Sequence, residues 1–397
     1  VRADLVGGVG VTAEELEEVR LRLAGLGRVH TPEDVAAAMR GLGMVVSDSV
    51  VLWALEALRR TSIGAGVLDP LLQLPGVTDV LVNGPEQVFI DRGAGLEMTG
   101  VRFASDDEVR RLATRLAAVA GRRLDDAAPW VDARMADGTR VHAVLSSLAS
   151  PGTCISLRVP ARRSLSLEDW RTGGGIDQTG LDVLQALVAR RAAFLVSGGT
   201  GSGKTTLLAS LLGSVDPDQR VVVVEDSREL APDHPHVVRL EGRSANAEGV
   251  GAVTLTTLVR QALRMRPDRL VVGEVRGGEI CDLLMAMNTG HEGGCGTLHA
   301  NSVADVPARV EALAALGGLG REACHAQVLA ALDLVVHVAR WPDGARRLTQ
   351  VGVVAGSVGK LVIEPALTWA PAAVVPRRGP GWDGLQRLLS GRAWDTA

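Results

Sequence analysis

The chain predicts an α/β domain on a mostly parallel sheet, preceded by a smaller α+β domain and a helical lead-in. Three observations carry this. Beyond residue 180, uninterrupted apolar runs such as AAFLVSG, RVVVVED, RLVVGEV and GTLHA alternate with helical stretches, and strands apolar on both faces belong to a parallel sheet covered on both sides. Between 67 and 160 the order changes to short alternating runs with turn signals around one long helix, the pattern of a compact α+β unit. Before residue 66 only helical periodicity is present.

In the lead-in (1–66), AEELEEVRLRLA, TPEDVAAAMR and VVLWALEALRR read as helices, the second with Thr31 as cap and Pro32 at the first helical position. In the 67–160 domain, VTDVLV and VFIDRGAGLEM precede a helix capped at Ser105, after which VDARMADGTRVHAVLSS turns at Asp137-Gly138 and ISLRV follows. The polar, glycine-bearing stretch 161–180 reads as an interdomain hinge. The alternating domain occupies 181–370, and the Pro-, Gly- and Arg-rich 371–397 reads as a variable, weakly packed tail.

Composition sets outer limits. A net charge of −4, with 46% hydrophobic and 22% charged residues, is that of an ordinary globular protein and demands no polyanionic partner. The sequence has no apolar run of about 18 residues and no export-type opening, so a cytoplasmic location is expected. Cys154, Cys281, Cys295 and Cys324 never form C-x-x-C, which supports neither a disulfide framework nor a four-thiolate zinc site. Of the 42 basic residues only Lys204 and Lys360 are lysines, which singles both out.

Lys204 lies in GGTGSGKTT, where Gly198, Gly203, Lys204 and Thr205 fill G-x-x-x-x-G-K-[ST] between an apolar strand and a helix, the context this motif needs. Gly198, Gly199, Thr200, Gly201, Ser202, Gly203, Lys204, Thr205 and Thr206 are therefore the expected nucleotide-binding residues. Backbone N–H groups and a helix N-terminus cradle phosphates, Lys204 reaches the β and γ positions, and Thr205 can bind Mg²⁺. ATP and Mg²⁺ are the expected cofactors. Hydrolysis also needs an oriented water and neutralised charge. The strand end VVVVEDSREL offers Glu225, Asp226 and Glu229; RLVVGEV offers Glu274 and Arg276, with Gly273 in place of the usual Walker-B aspartate. Glu274 is the candidate water-positioning base, and a merely solvated strand end is the alternative for each acid. TGHEGGCGTLHANS concentrates His291, Glu292, Cys295 and His299, yet it is not H-E-x-x-H, and no second ligand pair completes a metal site.

EDSREL, LRMRPDRLVVGEVRGGE and TGHEGGCGTLHANS, following the phosphate loop in that order, resemble the Asp box, Walker B and His box of the type II/type IV secretion ATPases. VTDVLVNGPEQVFIDRGAGLEMTGVRF, GRRLDDAAPWVDARMADGTRVHAVLSSLA and ISLRV resemble the CpaF-like tight-adherence (Tad) pilus branch, and the similarity runs from about residue 68 to 365. The resemblance implies a RecA-like P-loop NTPase domain in a ring-shaped, usually hexameric ATPase. It also implies peripheral association with the cytoplasmic membrane face and an inner-membrane platform protein as partner. By position, it makes Glu274 the catalytic acid, Glu225 and Asp226 the Asp-box groups near the metal, and His299 a contact near the γ-phosphate. Arg140 and Arg158 match arginines that reach the phosphates from the N-terminal domain, and Thr205, Glu225 and Glu274 become the Mg²⁺ neighbours. The tetracysteine zinc insert of related branches is absent from the sequence.

The leading expectation is thus an oligomeric ATPase that powers pilus assembly or protein secretion. A DNA-translocating or conjugal-transfer motor is the alternative, although the acidic charge, three phenylalanines and lack of tyrosine offer few stacking platforms. A nucleotide-gated scaffold without turnover is a third, opposed by Glu274. Within the tail, WDGLQRLLSGRAW suggests a short helix with Trp382, Leu385 and Leu389 on one face, which with Arg387 and Arg392 nearby, and Trp394 beyond, could rest on an anionic membrane or a membrane-platform partner; a tail that is disordered or packed within the protein is the alternative.

Overall fold

The chain divides into two units, Val1–Pro160 and Ala161–Ala397. The computed structural model describes residues 11, 15, 18, 19, 22, 23, 31–44, 46–62, 64–93, 95–160, 164–243, 250–290, 292–370 and 375–390.

In the first unit, α1 (Pro32–Gly41) and α2 (Asp48–Ser62) share a small apolar cluster through Val35, Met39, Val51 and Ala54. Thr31 holds its expected cap position: Asp34 N donates to Thr31 Oγ1 at 3.3 Å, and Thr31 N donates to Asp34 Oδ2 at 2.8 Å. A short helix, α3 (Asp69–Leu72), leads to β1 (Asp79–Asn83), β2 (Gln87–Asp91) and β3 (Leu96–Met98); α4 (Asp106–Val119) then precedes β4 (Trp130–Arg134), β5 (Arg140–Val144) and β6 (Cys154–Arg158). These strands form an antiparallel sheet in the order β3-β2-β1-β6-β5-β4. One face carries Val80, Val82, Val141, Ala143, Ile155 and Leu157 into a core shared with Val109, Leu112 and Leu116 of α4. The alternation seen in the sequence is therefore that of a sheet covered on one side. Ser105 stands at the N-cap of α4 but its hydroxyl makes no capping bond. Glu108 reaches back instead, accepting from Ala104 N at 2.8 Å.

The second unit begins earlier than a hinge at 161–180 would place it. Ser166 and Asp169 form a capping box that starts α5 (Leu167–Thr172), whose Leu167 and Trp170 are buried in this unit's core, and α6 (Gln178–Ala189) follows. The stretch looks polar in composition, yet LEDW puts its two apolar side chains on one helical face. Next come β7 (Phe194–Gly198), α7 (Lys204–Gly213), β8 (Val221–Glu225), β9 (Val237–Glu241), α8 (Leu255–Ala262), β10 (Arg269–Val272), α9 (Glu279–Asn288) and β11 (Cys295–His299). They are followed by α10 (Val306–Leu316), α11 (Arg321–Ala331), β12 (Leu334–Arg340), β13 (Arg346–Ser357), β14 (Lys360–Thr368), β15 (Arg377–Arg378) and α12 (Trp382–Ser390).

The nine-stranded sheet runs β15-β14-β13-β12-β7-β11-β10-β8-β9. Strands β12, β7, β11, β10, β8 and β9 are parallel, and β13 to β15 extend the sheet by antiparallel pairing. β7, β8 and β10 are buried along their whole length. One face packs on α6, α7 and α12, the other on α8, α9, α10 and α11, which explains their unbroken apolar runs.

The tail is a correction. β15 pairs with β14, and α12 buries Leu385 and Leu389 in the core of the second unit, with Trp382 packed against it and the Arg378 guanidinium 4.3 Å over the Trp382 ring. The apolar face read as a membrane anchor is spent inside the protein, because burial on an existing core removes the same surface from water. Arg392 and Trp394 lie outside the described residues. Among the described residues no helix is long and apolar enough to cross a membrane.

Candidate nucleotide site

The expected nucleotide-binding residues form one continuous turn: Gly198 ends β7, residues 199–203 curl over, and Lys204, Thr205 and Thr206 open α7. Ser202 Oγ donates back to Gly199 O at 2.9 Å, tightening the curl. Gly203 has φ +96°, and a Cβ there would stand 3.1 Å from Arg346 Cδ and 3.2 Å from the Trp170 ring. Both the left-handed backbone and the closeness of these neighbours require glycine. Trp170 is anchored in turn, its indole N–H donating to Ser210 Oγ on α7 at 3.0 Å.

Lys204 is only 6% exposed, and burial lowers its pKa against the attraction of Glu274. Its Nζ donates to Gly199 O at 2.8 Å and lies 3.4 Å from His299 Nδ1. On the far side of that ring, His299 Nε2 sits 2.6 Å from Glu274 Oε1. This is a close contact without hydrogen-bond alignment, since Glu274 Oε1 has no aligned donor. The other oxygen, Glu274 Oε2, accepts from Arg276 Nη2 at 2.5 Å. Burial pushes the Glu274 carboxyl up, but the Arg276 hydrogen bond and the charges of Arg276, His299 and Lys204 bring it below its ordinary value. Parallel pairing sets this row up: β11 lies between β7 and β10, so its last residue, His299, stands beside the loop and beside Glu274, which follows β10.

The turn after β10 is held from behind. Glu279 Oε1, at the start of α9, accepts from Arg276 N at 2.6 Å and from Gly277 N at 2.8 Å. Thr297 Oγ1 donates to Gly273 O at 2.7 Å, fastening the turn after β10 to β11. His337 on β12 is buried, with Nδ1 2.8 Å from Ser197 Oγ. Burial lowers its pKa, against a hydrogen bond with the Asn301 backbone, so one neutral ring ties the strand entering the loop to the segment beyond His299. Nothing in their spacing from the motif marks Glu279, His337, Trp170 or Arg346; only packing reveals them.

Glu225 is buried at the end of β8. Its Oε1 accepts from Glu229 N at 3.0 Å and Leu230 N at 2.8 Å, while Oε2 is buried without a hydrogen-bond partner. Burial raises its pKa, partly offset by those two bonds. A Cβ on Gly273 would lie 2.5 Å from Glu225 Cγ, so the space a Walker-B side chain would take is filled by Glu225 from the neighbouring strand. Asp226 and Glu229 are exposed. The Thr205 hydroxyl, the orphaned Glu225 Oε2 and the Glu274 carboxylate are the hard oxygen donors that Mg²⁺ prefers.

Arg140 and Arg158 are direct neighbours across β5 and β6 in the first unit, on the sheet face opposite its core, and Arg158 Nε donates to Asp79 Oδ1 at 3.1 Å. Of the histidine-rich stretch, His291 lies outside the described residues and Glu292 is exposed. Cys295 is 1% exposed, its thiol pushed up to about 12 by burial, which suits a core residue and not a ligand.

A strand, a tight glycine turn, a buried lysine and a helix on a mixed sheet define a phosphate-loop fold with an acid and a histidine at its mouth. The model of the type II/IV secretion system protein family matches residues 62–354, and the chain belongs to the type II/IV secretion system ATPase family. A Mycobacterium tuberculosis (strain ATCC 25618 / H37Rv) protein named "Putative conjugal transfer protein Rv3659c" is 53% identical over 323 residues, covering 80% of this chain and 92% of that protein. The type IV secretion system protein VirB11 of Brucella suis biovar 1 (strain 1330) is 31% identical over 300 residues, covering 68% and 83%. Among solved structures, the Yersinia pseudotuberculosis ATPase DotB matches with a TM-score of 0.53 at 17% identity, over 82% of each chain. The pilus retraction motor PilT with bound ADP matches at 0.52 and 20% identity, over 76% of this chain and 81% of its own. At such identities these two likenesses speak for the fold alone.

Proposed function

We propose that this chain is the RecA-like, ATP-hydrolysing subunit of a secretion machine, working as a homo-hexameric ring, and that it drives assembly of a tight-adherence-type pilus. The row Lys204, His299, Glu274, Arg276 at the mouth of the loop is the observation that carries the reading. Phosphates entering the loop meet its N–H groups and the N-terminus of α7, and Lys204 Nζ exchanges Gly199 O for a β- or γ-phosphate oxygen. Glu274, kept ionised by Arg276, accepts a hydrogen bond from the attacking water and aligns it. His299, within reach of both Lys204 and Glu274, transmits the presence of the γ-phosphate. Thr205 and Glu274, with Glu225 beside them, would hold Mg²⁺, which spreads the charge developing on the phosphates. Arg140 and Arg158 are assigned to the phosphates by the family pattern, as cations that couple hydrolysis to movement. The partner is an inner-membrane platform protein at the cytoplasmic face.

The test is Glu274→Gln in the full chain. ATP binding should be retained while kcat falls by about 10²- to 10⁴-fold; undiminished turnover would refute the assignment. Capture of that variant with ATP from native membranes should bring down a membrane platform protein. The conjugal-transfer name of the Mycobacterium relative favours a second reading, a DNA-moving motor. Salt-sensitive stimulation of the ATPase by DNA, with no membrane partner captured, would select it.

A further inference from the structure

We infer that Arg346 is a nucleotide-binding residue whose guanidinium takes the α-phosphate end of a nucleoside di- or triphosphate in the loop. This rests on the nucleotide reading above and adds a contact from the far side of the site. Arg346 opens β13, directly after a tight turn closed by Trp341 N donating to Ala345 O at 2.8 Å. The next residue, Arg347, is occupied: it pairs with Asp343 at 2.7 Å and lies 4.3 Å over the Trp341 ring. Strand alternation turns Arg346 the other way. Its Nε donates to Gly201 O at 3.1 Å, and its stem lies along Gly203. Among the described residues no carboxylate pairs with it, although it is exposed. An arginine tethered by one nitrogen to a phosphate loop, with its terminal nitrogens uncommitted, is arranged for bidentate recognition of a phosphate.

The sheet order says which phosphate. β7, which feeds the loop, lies between β11 and β12. His299 and Glu274 stand on the β11–β10 side, and Arg346 stands on the β12–β13 side. The transferable phosphate belongs beside Glu274, so the chain of phosphates leads away from it, α-phosphate and nucleoside last, toward Arg346. Such a contact is shared by ATP, ADP and the transition state, and therefore acts on binding and not on the chemical step.

The test uses the full chain, with fluorescent ADP and ATP analogues for binding and steady-state ATPase assays. Arg346→Gln should raise Kd for both nucleotides, and KM with them, about tenfold, the scale of a lost charged hydrogen bond, with the loss on KM and not on kcat. Arg346→Lys should recover part of the affinity, and Arg347→Gln should leave it unchanged. Unchanged Kd in Arg346→Gln, a loss confined to kcat, or an equal loss in Arg347→Gln would each overturn the assignment. Failure of the unaltered chain to bind either nucleotide would overturn the nucleotide reading itself.

Discussion

Gly273→Ala isolates the contact that replaces a Walker-B side chain. The new Cβ would lie 2.5 Å from Glu225 Cγ and 2.9 Å from Oε1, closer than two such atoms can rest, so Glu225 has to move. Forcing a methyl group into a packed site costs about 1–3 kcal/mol. Moving Glu225 also strains the bonds its Oε1 accepts from Glu229 N and Leu230 N, at about 1 kcal/mol for a bond lost. The total is about 2–4 kcal/mol. In a Glu225→Ala background the obstacle is gone, and Gly273→Ala should cost less than about 1 kcal/mol. The double-mutant cycle should therefore show a coupling of about 2 kcal/mol. Urea unfolding midpoints at constant slope measure the four corners, and faster hydrogen exchange at the Leu230 amide should accompany Gly273→Ala. Costs that add to within about 0.5 kcal/mol would refute the contact.

Other outcomes follow from the same geometry. The Glu274 carboxyl is held below its ordinary value, so its ionisation contributes stability that is present above the unfolded carboxylate range and lost as pH falls through the depressed value. Arg276→Gln leaves burial less opposed, and the acid limb of the kcat profile should move to higher pH; an unmoved limb would show that Arg276 does not keep Glu274 ionised. Leu385→Ala, which removes a side chain 1% exposed, should lower stability by about 2–5 kcal/mol. Unchanged unfolding with weakened liposome co-sedimentation would restore the membrane reading of α12.

Local signals that need no partner were legible in the sequence: the Thr31 cap, the Asp137-Gly138 turn, the loop at 198–206 and the apolar strands of the parallel sheet. The Ser105 cap was legible in position but not in chemistry: its hydroxyl makes no capping bond, and the Glu108 carboxylate accepts from Ala104 N. The stretches 161–180 and 371–397 misled for one reason. Composition averages over polar residues, while Trp170, Leu385 and Leu389 act singly, each entering a core whose existence is a tertiary fact. The pairing of β12 with β13, and of β13 with β14, escaped as well, and Arg346 went with it.

By itself the sequence determined that a glycine turn ending in Lys204 stands between a strand and a helix, and that the acids lie at strand ends, since spacing along the backbone dictates both. Only the tertiary structure decided which ends meet. Parallel registry brings His299 at the end of β11, and Glu274 just after β10, to the mouth of the loop that carries Lys204, and Glu225 on β8 takes the place vacated at Gly273. These residues are far apart along the chain, and their meeting depends on strand order, which no local pattern encodes.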